Sequence, residues 1–242
     1  FPWLMGEFRW GSFDYLGEAE WPQRCGNFGI IDVAAMPKDA YYLYQSLWTD
    51  KPMVHLLPHW THMGKEGKIV PVVVYTNCDS VELLLNNVSL GTQPYKGEQL
   101  VWNIPYESGR IEAKAKNGNR IVATDMQQTA SLAYTVSCSA NKLELQAGSA
   151  EVARLEFSVV DRNGVLCPYA SDELSFDLDG PIRLLGVDNG DPVDMFPYKQ
   201  PRCRSFRGKC VLLIQAADIP GKAAVTVRSE KLTEKKIMLE IK

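Results

Sequence analysis

The chain has 242 residues, 45% hydrophobic and 23% charged, ordinary values for one large globular domain or two to three small ones. Its net charge is -3 and its 26 Lys and Arg are scattered without a basic block, which argues against nucleic acid as a partner. No apolar run approaches the ~18 residues that a membrane-spanning helix needs, which argues against a membrane-embedded role.

Residues 1–60 form the first zone. The start at Phe1, with neither a basic head nor an apolar signal core, reads as cut from something larger. Five of the six tryptophans lie here. Residues 6–22, GEFRWGSFDYLGEAEWP, mix aromatic rings, an arginine and four carboxylates, a combination suited to the wall of a sugar-binding cleft. GNFGIIDVA reads as a short buried strand. PKDAYYLYQSLWTD predicts a helix, with Pro37 in its first turn and Asp39 near the positive end of its dipole. Ala40, Tyr41, Tyr44, Leu47 and Trp48 recur at helical spacing and make one apolar face. This piece of α/β architecture is too short to close a core alone.

The second zone, 61–130, changes to β texture. IVPVVVYT is a β-branched run, VELLLNNVSLG predicts two strands joined through Asn86-Asn87, and RIEAKAKNGNRIVATD predicts a hairpin about Asn117-Gly118-Asn119. The third zone, 131–242, repeats that texture, with a turn at 161–164 and strands in RGKCVLLIQA and AAVTVRSE. The fold class expected is mainly β: two tandem immunoglobulin-like β-sandwiches preceded by a short α/β segment. The polar QQTASLAYT stretch contains the link between them.

Several residue groups invite a chemical reading. Glu18 and Glu20, two apart, would share a face of a strand at ~7 Å, near the separation of an inverting glycosidase pair. Gly17 and Pro22 bracket them in a loop, where solvated carboxylates are the simpler reading. Glu7 and Asp14 lie closer to the aromatic residues and suit sugar hydroxyls or structural acceptor roles. Trp10 offers an apolar face to the C–H face of a sugar ring, or is a core tryptophan. His55, His59 and His62 have a spacing that would suit a metal on a helix, but Pro58 interrupts it, and packing at a zone junction is preferred. GVDNGDP, 186–192, resembles a calcium loop superficially but lacks the alternating ligands and closing Glu, so a tight turn of Asx side chains is expected. Among six cysteines there is no CxxC; Cys203 and Cys210 are read as small buried residues in preference to a disulfide. Asn87-Val88-Ser89 is a glycosylation sequon only in a glycosylating host. No hydrolase elbow, zincin, P-loop or dinucleotide fingerprint occurs, and no cofactor is expected.

Taken in order, GEFRWGSFDYLGE, FGIIDVAAMPKDAYYLYQSLW, VHLLPHW, VPVVVYTNCDSVELLLNNVSLG, LLGVDNGDP and FRGKCVLLIQA resemble the C-terminal part of glycoside hydrolase family 2, the β-galactosidase-like enzymes. The resemblance implies that residues 1–60 are the eighth strand and last helix of a (β/α)8 barrel, with VHLLPHW its exit. It implies that 61–130 and 131–242 are the two sandwiches that follow. It further implies a parent that cleaves β-glycosidic bonds with retention through two glutamates on the fourth and seventh barrel strands, neither of which is in this chain. Trp10 then matches the tryptophan lining the sugar subsite, and Asp14 borders the same pocket. The chain alone is expected to be inactive, its sandwiches bracing the barrel; the competing reading is a non-catalytic carbohydrate-binding or adhesion module. Expected partners are a β-galactoside-like carbohydrate and the upstream barrel, with self-association through the unpaired edges of 1–60. The resemblance suggests a periplasmic or secreted enzyme.

Overall fold

Strand-favouring sequence dominates the chain from residue 54 onward, and the structure follows it. The computed structural model describes residues 3–6 and 8–242, with 47% of the chain in strands and 4% in helix. The helix α1 (Asp39–Trp48) forms where helical periodicity places it. Lys38 is its N-cap, so Pro37 lies one residue outside the helix and not in its first turn.

The helix does not bury the face that its periodicity picks out. Tyr42 stacks on the His55 ring at 3.8 Å, and Asp39 Oδ1 lies 3.0 Å from His55 Nε2, so residues 39, 42 and 46 face the strands that follow. Leu47 and Trp48, on the predicted apolar face, remain 55% and 71% exposed. The anchoring imidazole comes from a later strand, which helical spacing cannot reveal.

Seven strands build the first sandwich: β1 (Val54–Leu57), β2 (Ile69–Thr76), β3 (Ser80–Leu85), β4 (Val88–Pro94), β5 (Leu100–Pro105), β6 (Arg110–Asn117) and β7 (Arg120–Gln128). They form antiparallel sheets β1-β2-β5 and β4-β3-β6-β7. Alternate side chains of β3 and β6 point inward, burying Val81, Leu83, Ile111, Ala113 and Ala115 against Val72 and Val74 of β2. Trp60 is buried at the base of this core and donates its indole N–H to Glu107 O at 2.9 Å. The β3–β4 turn is Asn86-Asn87, with φ of 50° and 67°, the left-handed pair that a two-residue hairpin requires. The zone boundary expected at residue 60 falls after β1, yet β1 pairs with β2 and Leu56 and Trp60 lie in this core. By strand pairing, the first sandwich therefore begins near residue 54.

Nine strands follow: β8 (Thr135–Ala140), β9 (Glu144–Leu145), β10 (Val152–Val160), β11 (Glu173–Asp179), β12 (Ile182–Asp188), β13 (Arg202–Arg204), β14 (Lys209–Ala216), β15 (Gly221–Arg228) and β16 (Lys235–Ile241). Sheet β12-β14-β10-β8 faces sheet β13-β11-β15-β16-β9. Phe157 and Phe176 meet between the sheets with ring centroids 5.2 Å apart. Cys203 on β13 and Cys210 on β14 are buried between the same sheets as free thiols, and burial, with Cys203 alongside, pushes the Cys210 thiol well above its ordinary value.

The link 129–134 is anchored rather than loose. Asp161 is buried and accepts from the Ser131 backbone N–H and hydroxyl at 2.9 and 3.0 Å and from the Asn163 and Val165 amides. His59 and His62 lie at the junction of the sandwiches, His59 stacked on His62 at 4.8 Å and set edge-on to Tyr169 of the second sandwich. Among the described residues, neither ring nitrogen of His62 has a hydrogen-bond partner, although its ring is buried. Burial, and after it Lys65, holds its pKa below the ordinary 6.5. A base whose folded pKa is depressed costs nothing through protonation above 6.5 and destabilises the fold progressively as pH falls below it, because the unfolded chain binds the proton more tightly. We therefore expect His62→Phe to gain about 1 kcal/mol at pH 7 and to flatten the stability loss between about pH 7 and 5, read by denaturant melts at both.

Candidate functional site

Residues 8–38 form no regular strand; they are two irregular passes of chain tied by isolated bridges. Ser12 O accepts from the Ile30 and Ile31 amides at 3.0 and 2.9 Å, and the Asp14 N–H donates to Ile31 O at 2.9 Å. Tyr15 and Gly26 exchange both backbone hydrogen bonds, at 2.9 and 2.7 Å. GNFGIIDVA, expected as a buried strand, supplies the second pass; Ile31 bridges Phe13 on one side and Pro37 on the other, but the bridges stay single and no ladder develops. The passes approach so closely that a Cβ on Gly29 would fall 2.2 Å from Asp14 N and Phe13 C. Only glycine fits there.

The approach fixes Asp14. Its carboxylate is drawn inward, where Oδ1 accepts from the Gly29 amide at 3.0 Å and from Lys38 Nζ at 2.5 Å, and the residue is 5% exposed. Lys38 Nζ also donates to Asn27 O at 3.1 Å. Trp10, four residues earlier, is 87% exposed. Arg9 beside it donates to Phe28 O and lies over the Tyr44 ring at 6.0 Å, so the segment bearing the indole is tied to the second pass and to α1. The two residues that the sequence pairs at one pocket thus occupy different settings, an open indole and an internal carboxylate.

Other candidates separate. Glu7 lies outside the described residues. Glu18 and Glu20 are exposed on the loop between Tyr15 and Gly26. His55 joins α1 to β1 and approaches Asp125 Oδ2 at 3.6 Å, away from His59 and His62. No group of three or more metal-ligating side chains occurs among the described residues. GVDNGDP is a chain of Asx turns, in which Asp188, Asn189 and Asp191 accept from the amides two residues on at 2.8, 2.9 and 3.0 Å.

That loop also receives a residue that sequence reasoning passed over. Arg24 crosses from the first zone to bond both carboxylate oxygens of Asp188, at 3.1 and 2.7 Å. Its Nε donates to Asp191 O at 2.8 Å and an Nη to the Tyr198 hydroxyl at 2.6 Å, with Tyr198 stacked beneath the guanidinium at 5.3 Å. Burial opposes the charge, but Asp188 and Tyr198 outweigh it and raise the pKa above the ordinary arginine value. A partner 164 residues away leaves no local pattern to find.

Residues 136–238 match the glycoside hydrolase family 2 C-terminal domain 5, and residues 67–123 match a domain of unknown function. A β-galactosidase of Bacteroides ovatus is 36% identical over 237 residues, covering 96% of this chain and 28% of its own length. A β-glucuronidase of Formosa agariphila is 31% identical over 172 residues, covering 68% of this chain and 17% of its own. The crystal structure of a β-glycosidase from Bacteroides vulgatus superposes with a TM-score of 0.98 at 67% identity, over 100% of this chain and 31% of that one. The chain is an irregular segment with one helix followed by two sandwiches. It belongs to glycoside hydrolase family 2. It spans less than a third of the length of these relatives.

Because Asp14 is buried, Lys38→Met leaves its carboxylate with one donor fewer. We expect amide exchange at Asp14, Tyr15 and Gly26 to quicken, a loss of about 3 kcal/mol in local opening, with β10 and β14 unaffected.

Proposed function

We propose that this chain is the C-terminal region of a retaining β-glycosidase of the galactosidase or glucuronidase type, in which Trp10 forms one wall of the sugar subsite. The observation that carries this reading is the exposure of Trp10, together with that of Phe8 and Trp21 on the same segment and of Leu47 and Trp48 on α1. So many large apolar side chains left in solvent call for a covering partner. The body of a (β/α)8 barrel, against which the last strand and last helix would pack, meets that need.

In this reading the cleaving carboxylates belong to barrel strands outside the chain. Glu18 and Glu20 take no part, and the chain by itself is inactive. Asp14 borders the subsite: its ion pair with Lys38 helps to hold the segment bearing Trp10. The sandwiches brace the barrel end, with α1 against β1 and β2 and residues 24–36 against the second sandwich. Carbohydrate reaches this region through the assembled cleft. The unpaired edges of the barrel-end segment make self-association of the isolated chain the expected alternative to barrel packing.

The test pairs the 242-residue chain with the full-length enzyme on nitrophenyl β-galactoside and β-glucuronide. Turnover by the full-length protein, none by the chain, and a fall of about 10- to 100-fold in kcat/KM for Trp10→Ala are expected, the size of losing an apolar face against the sugar. Turnover by the chain alone that disappears on substitution of Asp14 would overturn the reading.

A second reading, a carbohydrate-binding role for the terminal sandwich, is favoured by a polar cleft of about 810 Å³ lined by Tyr169, Ser171, Asp172, Glu173, Arg204 and Arg228. Tyr169 is 63% exposed and offers a ring face there. Calorimetry of the chain with galacto-oligosaccharides would show binding lost in Tyr169→Ala if the cleft holds sugar, and no heat if it does not.

A further inference from the structure

We infer that Arg24 is a positioning residue for the sugar subsite, through which the terminal sandwich sets the place of the segment bearing Trp10. This rests on the glycosidase reading above and deepens it by naming the device that links a distant sandwich to the subsite.

The loop that receives Arg24 is closed by hydrogen bonds of its own. Asp188 Oδ1 accepts from the Gly190 amide at 2.8 Å while also accepting from Arg24, and Asn189 donates to Asp194 Oδ2 and Arg204 O at 2.7 and 2.9 Å. Gly190 has φ of +76°, and a Cβ there would fall 2.2 Å from Asp32 Oδ2, so the turn is shaped to let the first zone come close. Into this frame Arg24 brings a two-pronged carboxylate contact, a backbone carbonyl contact, a phenol contact and its own amide, which donates to Pro192 O at 2.7 Å. Its side chain is only 8% exposed, and the space left beside it is about 10 Å³. A planar guanidinium satisfied on so many sides has one position and one orientation.

The rest is a short chain of backbone bonds. Gly26, two residues after Arg24, is paired to Tyr15; Asp14 and Ser12 are paired to Ile30 and Ile31; Trp10 is two residues further on. A second attachment supports the same segment: Arg154 of β10 donates to Ala34 O and Ala35 O at 3.2 and 3.4 Å, and Ala34 and Met36 pack on Val211 of β14. Release of Arg24 frees the end of this path nearest the loop that carries Glu18 and Glu20. It leaves the sandwich itself intact, because the Asx turns close without it.

The test uses Arg24→Met, with Asp188→Asn as the variant that keeps the Asx acceptor while weakening the ion pair, and Arg24→Lys as the conservative control. In the full-length enzyme, activity is measured per folded molecule on the nitrophenyl β-glycoside that the wild type turns over. A positioning role predicts a fall of about 10- to 100-fold in kcat/KM for Arg24→Met, a smaller fall for Asp188→Asn and partial rescue by Arg24→Lys. In the 242-residue chain, exchange of the Tyr15, Arg24 and Gly26 amides should quicken by about 10-fold or more, with β10 and β14 still protected. A lowered Tm with kcat/KM within twofold of wild type would make Arg24 merely structural and overturn the inference while leaving the glycosidase reading standing. Unchanged exchange at those amides would overturn it too. A wild-type full-length protein without β-glycosidase activity would remove the reading, and the inferred role with it.

Discussion

A charge taken out of water has to be matched, and Arg24 is where this chain meets that demand. Its guanidinium leaves solvent to bind a carboxylate, a carbonyl and a phenol on a loop more than 160 residues away in sequence. Replacing water around an arginine costs several kcal/mol unless the new partners are well placed, so the contact tolerates little displacement. Of the bonds between the two passes, the Tyr15–Gly26 pair lies nearest to it, two residues along the chain. The irregular segment, with no ladder of its own, borrows its order from this junction and from the ion pair between Asp14 and Lys38.

The same segment shows the opposite condition on its other side. Trp10, Phe8 and Trp21 stand in solvent, as do Leu47 and Trp48 on α1. Hydrophobic side chains with alternating or helical spacing normally face a core; among the described residues nothing covers these. The segment is tight where it touches the sandwiches and open on its other side.

Much of the β architecture was legible because its cause is local. Alternation in β2, β3 and β6, the Asn86-Asn87 turn and the Asx turns of GVDNGDP all follow from neighbours within a few residues. What resisted reading is what depends on distant chain. The buried face of α1 is decided by His55, the placing of β1 by its pairing with β2, and the inward turn of Asp14 by Lys38 and the approach of Gly29. Arg24 left no trace at all, since a single arginine after a proline loop has no local partner. At the candidate site, the sequence singled out Trp10, which is exposed, but gave no sign of the bond network around it.

The Asx turns of GVDNGDP carry a consequence for how such enzymes are assembled from parts. A self-closed loop keeps its shape whichever neighbour it meets, so the terminal sandwich brings a ready-made socket to the interface. The matching plug, however, is a single side chain on a separate stretch of chain. Exchange of that sandwich for another of equal stability would fill the same volume and leave the plug without its socket.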